Sequence, residues 1–211
     1  LTDLSLAPIL VAAQKCPTLT SLDLGSNKMD AEASSAMGLL LAAPDCPLLE
    51  LGVSKADVDD AECGALVGRL EANANLTALD LSHNLIGGGE VASLTDPAFS
   101  TGARAIARML EGGHGGGAIR VLNLAWNMIR RGSATALGRS LAGNLHLVDL
   151  DLSYNSFGDE GGLAVAGALF SNRTLRRLHL ASNALQTRAA FALAAGCREN
   201  PRLEYLDLRS N

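Results

Sequence analysis

One pattern of leucines recurs along the whole chain and limits the folds open to it. Three leucines or similar apolar residues precede an asparagine and a further apolar residue, in the order Leu-x-x-Leu-x-Leu-x-x-Asn-x-apolar. The pattern is most regular toward the end, where Asn127, Asn155, Asn183 and Asn211 follow one another at intervals of 28 residues. A fixed period of this length is typical of chains that stack one small structural unit on the next. The earlier copies have their asparagine at Asn27 and Asn84, and a degenerate copy between them has Ala56 instead.

The segments between the leucine patterns have the period of a helix. After Asn127, for example, Ala134, Leu137, Gly138 and Leu141 are spaced as i, i+3, i+4 and i+7, which places small apolar residues on one helix face. Each unit is therefore predicted to be a short strand, a turn and a helix. The expected fold is α/β: a single domain over residues 1–211, an open arc of about seven units with parallel strands on the concave face and helices on the convex face.

These residues carry a family resemblance. The segments "LTALDLSHNLIG" (76–87) and "GARAIARML" (102–110) resemble the ribonuclease-inhibitor-like class of leucine-rich repeats. That class includes ribonuclease inhibitor, the recognition domains of NOD-like receptors, the GTPase-activating protein for Ran, tropomodulin and an axonemal dynein-regulatory subunit. The resemblance implies an open solenoid that binds another protein. It also implies an alternative, stimulation of a GTPase, in which Asn84 and Asn155 would be the functional residues.

The repeated asparagines have a structural explanation in the sequence itself. A short amide after each strand can bond backbone groups that the turning chain would leave unpaired, and stacked copies would form a ladder. We therefore interpret the asparagines as scaffold, and we expect the second unit to be looser because Ala56 interrupts the ladder. The chain starts at Leu1 rather than Met and stops inside a copy at Asn211, so we expect a piece of a longer array.

One unit is longer than the others. The interval from Asn84 to Asn127 is 43 residues, and the excess is assigned to an insertion at 88–99 and a glycine-rich loop at 112–117. The insertion is expected to project from one edge of the solenoid, where its Phe99 could contact a partner. Both glycine runs lack the Gly-Lys-Ser/Thr ending of a phosphate-binding loop and are interpreted as connectors.

Two columns of strand positions are predicted to face the concave side. The position between the second and third leucines carries Asp80, Asn123, Asp151 and Asp207, among others, and would form an acidic strip suited to a basic partner. The same residues could instead be a common feature of such repeats.

Aromatic residues also fall on this side. They make up only 3% of the chain, yet the only Trp, Trp126, and Tyr154 occupy the same position in neighbouring units. His83 holds that position one unit earlier, and the second tyrosine, Tyr205, lies on a strand. Large aromatic side chains are frequent anchors of protein interfaces. They could instead cover gaps in a lightly packed concave face. We favour the first interpretation, in which the predicted partner-binding patch is His83, Trp126, Tyr154 and Asp151, extended by Asp80, Asn123, Asp207, Tyr205 and Phe99.

Composition and motifs argue against several other classes of function. A net charge of −5 disfavours binding to nucleic acid or to an anionic membrane, and no apolar run reaches the length of a membrane span. The four cysteines form no CxxC pair, which predicts free thiols rather than a zinc site. No nucleophile, metal set or cofactor loop is recognisable, so we expect neither enzyme activity nor a cofactor. The expected location is cytoplasmic, in the cytoskeleton or the cilium, as part of a larger assembly such as a ciliary complex.

Overall fold

The repeated leucines form one continuous parallel sheet in a computed structural model that describes residues 6–70, 73–96, 99–111 and 119–211. Each strand is three residues long and pairs with the strand of the next unit, so that the sheet follows chain order from one edge to the other. The strands are β1 Ser21–Asp23, β2 Glu50–Gly52, β3 Ala78–Asp80, β4 Val121–Asn123, β5 Asp149–Asp151, β6 Arg177–His179 and β7 Tyr205–Asp207. Every pair is in the same register, with the central leucine of one strand beside that of the next. The predicted α/β leucine-rich-repeat solenoid is confirmed.

A helix precedes each strand, and the helices of consecutive units pack on one another. The helices are α1 Ala7–Ala13, α2 Ala31–Ala42, α3 Asp60–Leu70, α4 Ala92–Thr95, α5 Gly102–Glu111, α6 Arg131–Ser140, α7 Gly158–Leu169 and α8 Thr187–Glu199. A 3-10 turn at Gly88–Glu90 precedes α4. The hydrophobic core lies between the sheet and the helix layer. The central leucines of the inner strands and the helix positions predicted at i, i+3 and i+7, such as Ala134 and Leu137, are buried.

Small residues allow the helices to approach one another closely. A Cβ atom placed on Gly138 of α6 would lie 2.9 Å from the Cβ atom of Ala164, and one on Gly162 of α7 would lie 2.6 Å from that of Ala189. Both distances are shorter than carbon atoms tolerate. Glycine is therefore required at these two contacts, where α6 meets α7 and α7 meets α8.

The predicted asparagine ladder is confirmed. The Nδ2 of Asn155 donates to the carbonyl of Leu124 in the preceding unit at 2.9 Å, and its Oδ1 accepts from the amide of Ile129 at 3.0 Å. Asn84, Asn127, Asn183 and Asn211 make equivalent bonds to the preceding unit. At Ala56 the backbone supplies part of the missing contact, because the Met29 amide donates to the Ala56 carbonyl at 2.9 Å. That this unit is looser stays a prediction.

A second ladder of asparagine side chains, which the leucine pattern did not reveal, lies on the side of the sheet where the strands begin. Asn172 donates from Nδ2 to the carbonyl of Leu141 at 2.7 Å, and its Oδ1 accepts from the amide of Leu175 at 2.8 Å. The equivalent residues are Asn73, Asn144 and Asn200, each three positions before the first leucine of a strand segment. This ladder fixes the point where each helix turns into the next strand.

Buried acidic side chains hold the start of the insertion. Asp60, at the first position of α3, accepts hydrogen bonds from the amides of Gly87 at 2.7 Å, Gly89 at 2.8 Å and Gly102 at 2.7 Å. Glu90 is fully buried, and its carboxylate accepts from the amide and the hydroxyl of Ser133 in the first turn of α6. Both ends of the insertion are thus attached to neighbouring units. The glycine-rich loop at 112–117 lies outside the described residues, as do two positions of the insertion, 97–98.

Candidate protein-binding surface

Three rings of the predicted patch form a continuous stack. The ring centroids of His83 and Trp126 lie 5.2 Å apart, those of Trp126 and Tyr154 lie 4.0 Å apart, and the planes are within 10° of parallel. Trp126 and Tyr154 are 48% and 44% exposed. The structure therefore brings these three predicted residues together on the surface.

The backbone explains why the rings stack. Each of the three residues is the third after the end of its strand and has a left-handed backbone with φ of 56°. The strand pairing continues into this turn, because the amides of His83 and Trp126 donate to Ala125 and Ser153 of the following unit. Identical conformations repeated at the spacing of strands, about 4.8 Å, place successive side chains face to face.

A second row of exposed apolar side chains, missed from sequence, lies beside the stack. Leu85 and Met128 occupy equivalent positions two residues after His83 and Trp126, and they are 47% and 43% exposed. Comparing this position across units would have found them, because the other units have Lys28, Asp57, Ser156 and Ala184 there. We call His83, Leu85, Trp126, Met128 and Tyr154 the edge patch.

The acidic strip on the sheet face has a structural role as well as a charge. Asp80 and Asp151 each accept a hydrogen bond at Oδ1 from the amide two residues later, Ser82 and Ser153, both at 2.8 Å. Asn123 makes the same bond to Ala125 at 3.0 Å. The bond begins the turn that ends each strand, which explains the recurrence of aspartate at this position. The second carboxylate oxygen of Asp80 and of Asp151 makes no hydrogen bond or ion pair within the described ranges.

The last two strands carry a separate cluster of charges. His179 and Tyr205 are in ring contact, with centroids 4.9 Å apart, and Arg177 pairs with Asp149 at 2.8 Å. Asp207 is buried beneath Arg209 and binds its guanidinium at 2.7 Å. The hydrogen bonds from the Arg209 side chain and amide hold the pKa of Asp207 at about 2. The predicted residues Tyr205 and Asp207 therefore lie on the last strand, in a cluster distinct from the stack of His83, Trp126 and Tyr154.

Phe99 belongs to neither the stack nor the cluster on the last strands. A Cβ atom on Gly89 would lie 2.6 Å from the ring carbon Cζ of Phe99, so the ring packs back on the start of the insertion. Its half-buried position there helps to close the inserted segment. Of the insertion, Val91 is the large apolar side chain that is exposed among the described residues, at 56%.

A shallow depression of about 370 Å³ lies at the other end of the sheet face. Its floor is formed by small residues such as Gly52 and Ala78, and Asp23, Glu50 and Asp80 line it. Glu50 was not among the predicted residues, because it precedes the central leucine of its strand rather than following it. The sheet face is therefore predominantly acidic at β1–β3 and carries paired charges at β5–β7.

The asparagines considered for GTPase activation are fully engaged in the ladder. Asn84 is buried, donates to the carbonyls of Val53, Leu81 and Ser82, and accepts from two backbone amides. The Asn155 side chain is likewise bonded to backbone groups on both sides. Neither amide is free to orient a water molecule or a nucleotide.

The remaining reactive groups have packing roles. All four cysteines are free thiols, and burial raises the pKa of Cys63 far above its usual range and also raises that of Cys197. In the part of the chain that the structure describes, no group of three or more His, Cys, Asp or Glu residues could hold a metal ion. No helix within the same residues is long and apolar enough to cross a membrane.

Comparison with known proteins supports the repeat assignment. A family model described as Leucine Rich repeat matches residues 15–37, 72–89, 143–166 and 171–194. The chain is 35% identical to mouse (Mus musculus) ribonuclease inhibitor over 82 residues, which is 39% of this chain and 18% of that protein. It is 29% identical to human (Homo sapiens) NACHT, LRR and PYD domains-containing protein 12 over 153 residues, 72% of this chain and 13% of that protein. The chain thus spans less than a fifth of these relatives.

Solved structures share the fold. The C-terminal domain of tropomodulin from Caenorhabditis elegans matches 94% of this chain and 93% of its own with a TM-score of 0.53 and 13% identity. An internalin from Listeria monocytogenes matches the full chain and 52% of its own, with a TM-score of 0.53 and 16% identity. The structural matches show the fold. The sequence matches show which leucine-rich repeats those of this chain resemble. The chain is a leucine-rich-repeat protein whose repeats are similar to those of ribonuclease inhibitor.

Proposed function

We propose that this chain is a recognition module that binds a partner protein through the edge patch and the adjoining strand positions Asp80, Asn123 and Asp151. The observation that carries the proposal is the exposed stack of His83, Trp126 and Tyr154. Tyrosine and tryptophan are enriched at the energetic centres of interfaces because they bury much area while losing little rotamer entropy. Two of the chain's three Trp and Tyr residues lie in this stack.

The stack has no evident need to exist for stability alone. Serine or lysine occupies the same left-handed position in other units, at Ser26, Lys55, Ser182 and Ser210. The turn therefore forms without an aromatic side chain. The name of the mouse relative, an inhibitor, describes a protein that acts by binding another one, and it supports binding rather than catalysis as the activity of this chain.

The second cluster, with Tyr205 and Asp207, would extend the interface along the sheet face. Phe99 would contribute indirectly by holding the insertion next to the patch. The preferred partner would present a basic surface, because the net charge of −5 and the free carboxylates of the sheet face attract one.

The test is capture of partners from extracts of the source cells, using the wild-type chain and the double variant Trp126→Ala/Tyr154→Ala, followed by mass spectrometry. We expect one or a few proteins to be recovered by the wild type and to bind the variant at least ~10-fold more weakly. Recovery of tubulin or dynein subunits would place the chain in a ciliary assembly, the location predicted from sequence.

The matched control is Phe170→Ala/Phe191→Ala, which removes two exposed aromatic rings from the helix side, 48% and 74% exposed. This variant should bind like the wild type. Both variants should keep the wild-type melting temperature within a few degrees, because the deleted rings are exposed. Equal binding by the Trp126→Ala/Tyr154→Ala variant and the wild type would refute the proposal.

A further inference from the structure

The edge patch is a two-row surface confined to three consecutive units. One row consists of the stacked rings of His83, Trp126 and Tyr154, and the other of Leu85 and Met128. A Cβ atom on Gly88 would lie 3.4 Å from the Sδ of Met128, so the start of the insertion borders the second row. The patch is thus an apolar strip that runs across the strands, perpendicular to their direction.

The strip is bordered on its sheet side by unneutralised negative charge. Asp80 and Asp151 belong to the same units as His83 and Tyr154, and one oxygen of each is used by a turn amide. Among the described residues neither takes part in an ion pair, whereas Asp149 and Asp207 are neutralised by Arg177 and Arg209. The charges beside the patch are therefore available to a basic partner.

The spacing of the strip distinguishes between helical and extended partners. Successive side chains along the first row are separated by 5.2 and 4.0 Å. Residues i and i+3 or i+4 of a helix are about 5–6 Å apart on one face, which matches the first separation and is longer than the second. Residues on one face of an extended peptide are about 6.6 Å apart, further from both separations. An extended peptide that adds to the sheet as a strand would also need an edge strand, and the patch lies on the inner strands β3 to β5 of the described sheet.

We propose that the edge patch binds an amphipathic α-helix of the partner, with its apolar stripe on the two rows and Lys or Arg residues directed at Asp80 and Asp151. Met128 suits this role because a methionine side chain adapts its shape to the helix that packs on it. This inference rests on the proposed function and specifies the partner's binding segment.

The inference is tested with a displayed library of random peptides of about 16 residues, long enough for roughly four helical turns. Selection uses the wild-type chain, with counter-selection on Leu85→Ser/Met128→Ser. The library imposes no helical pattern, so the period is a result. We expect the enriched sequences to have apolar residues at i, i+3 or i+4 and i+7 with flanking Lys or Arg.

Binding of the selected peptides is measured by fluorescence of Trp126, which is the only tryptophan of the chain and lies inside the patch. We expect the emission of Trp126 to shift to shorter wavelength on binding. The variant Leu85→Ser/Met128→Ser should weaken peptide binding by at least about 10-fold. The variant Asp80→Asn/Asp151→Asn keeps the turn acceptors and should weaken binding about 5-fold. Phe170→Ser/Phe191→Ser, on the helix side, is the control and should change nothing.

Enriched sequences that alternate every second residue, or that carry acidic flanks, would overturn the inference, as would enrichment that ignores both patch variants. Such a result would leave the proposed function standing if Trp126→Ala/Tyr154→Ala still loses its captured partner. Conversely, unchanged capture by that variant removes the proposed function itself, so the two failures are distinguishable.

Discussion

At the scale of single residues, the turn after each strand keeps one backbone conformation whichever side chain it carries. Ser26, Lys55, Trp126 and Tyr154 all have φ between 52° and 61° although their side chains differ completely. A left-handed backbone costs an L-residue about 1–2 kcal/mol, and here the repeated strand pairing imposes it in every unit. The side chain at this position is consequently free to serve the surface.

Asp207 shows how a residue of the repeated strand position acquires a particular environment. The equivalent carboxylates of Asp23, Asp80 and Asp151 each accept one turn amide. Asp207 also binds the guanidinium of Arg209 through two nitrogens, Nε and Nη2. These bonds lower the pKa of Asp207 from 3.8 to about 2. Because the carboxylate is favoured in the folded state, its contribution to stability is present above pH 3.8 and is lost as the pH falls toward 2.

We predict that Arg209→Gln raises the pKa of Asp207 toward 3.8, measured by carbon-detected NMR titration of the side-chain carboxyl. The acid limb of the unfolding transition should then begin at higher pH than in the wild type. Asp151, which has the same turn bond and no arginine partner, serves as the internal reference. A pKa of Asp207 that stays near 2 in the variant would show that the turn amide alone is responsible.

At the scale of secondary-structure elements, the separation of the helices is set by individual glycines. Within α7, Gly162 faces α8, and a Cβ atom there would lie 2.6 Å from the Cβ of Ala189 and 2.9 Å from the Cδ2 of Leu185. Gly167 of the same helix is exposed and would place a Cβ atom more than 4 Å from its surroundings. A side chain at Gly162 would therefore clash with its neighbours, whereas one at Gly167 would not.

We predict that Gly162→Ala destabilises the protein by about 1–2 kcal/mol, because overpacking outweighs the gain in helix propensity. Gly167→Ala should stabilise it by about 0.5–1 kcal/mol, since the helix gains propensity without a clash. Urea unfolding followed by circular dichroism measures both. If both substitutions changed the free energy of unfolding in the same direction, the assignment of Gly162 to the contact between α7 and α8 would be contradicted.

At the scale of the whole molecule, the asparagine ladders add side-chain hydrogen bonds to the strand pairing that joins neighbouring units. The Oδ1 of Asn155 is the acceptor for the buried amide of Ile129, which belongs to the preceding unit. Among the described residues, Asn27 in the first unit with a strand bonds to the carbonyls of Leu24 and Gly25 in its own turn. The same residue type therefore joins two units in one place and closes a turn in the other.

We predict that Asn155→Ala lowers the free energy of unfolding by about 1–3 kcal/mol, the range for a buried amide left without its acceptor. Asn27→Ala should lower it by less than about 1 kcal/mol, because its partners lie in a more exposed turn. Chemical denaturation provides the values, and hydrogen exchange at the Ile129 amide should increase in the first variant alone. Similar losses in the two variants would argue against a ladder that joins units.

Much of the molecule follows from the sequence because its contacts repeat. The positions of the strands, the buried face of each helix and the role of Asn84 and Asn155 follow from periodicity alone. The aromatic stack was also predictable, since Trp126 and Tyr154 hold equivalent positions in neighbouring units and must lie one strand spacing apart.

Other features required the tertiary structure, for a physical reason. Asp60 binds amides at Gly87 and Gly102, and Glu90 binds Ser133, because an irregular insertion is closed by contacts that no period describes. Whether an exposed side chain is free to bind a partner also depends on its neighbours in space. Only the tertiary structure distinguishes Asp207, which is neutralised by Arg209, from Asp151, which keeps one carboxylate oxygen free. The sequence by itself determined the repeating path of the backbone, because that path is encoded in every unit. The tertiary structure decided which side chains remain free on its surface, because that depends on partners supplied by other units.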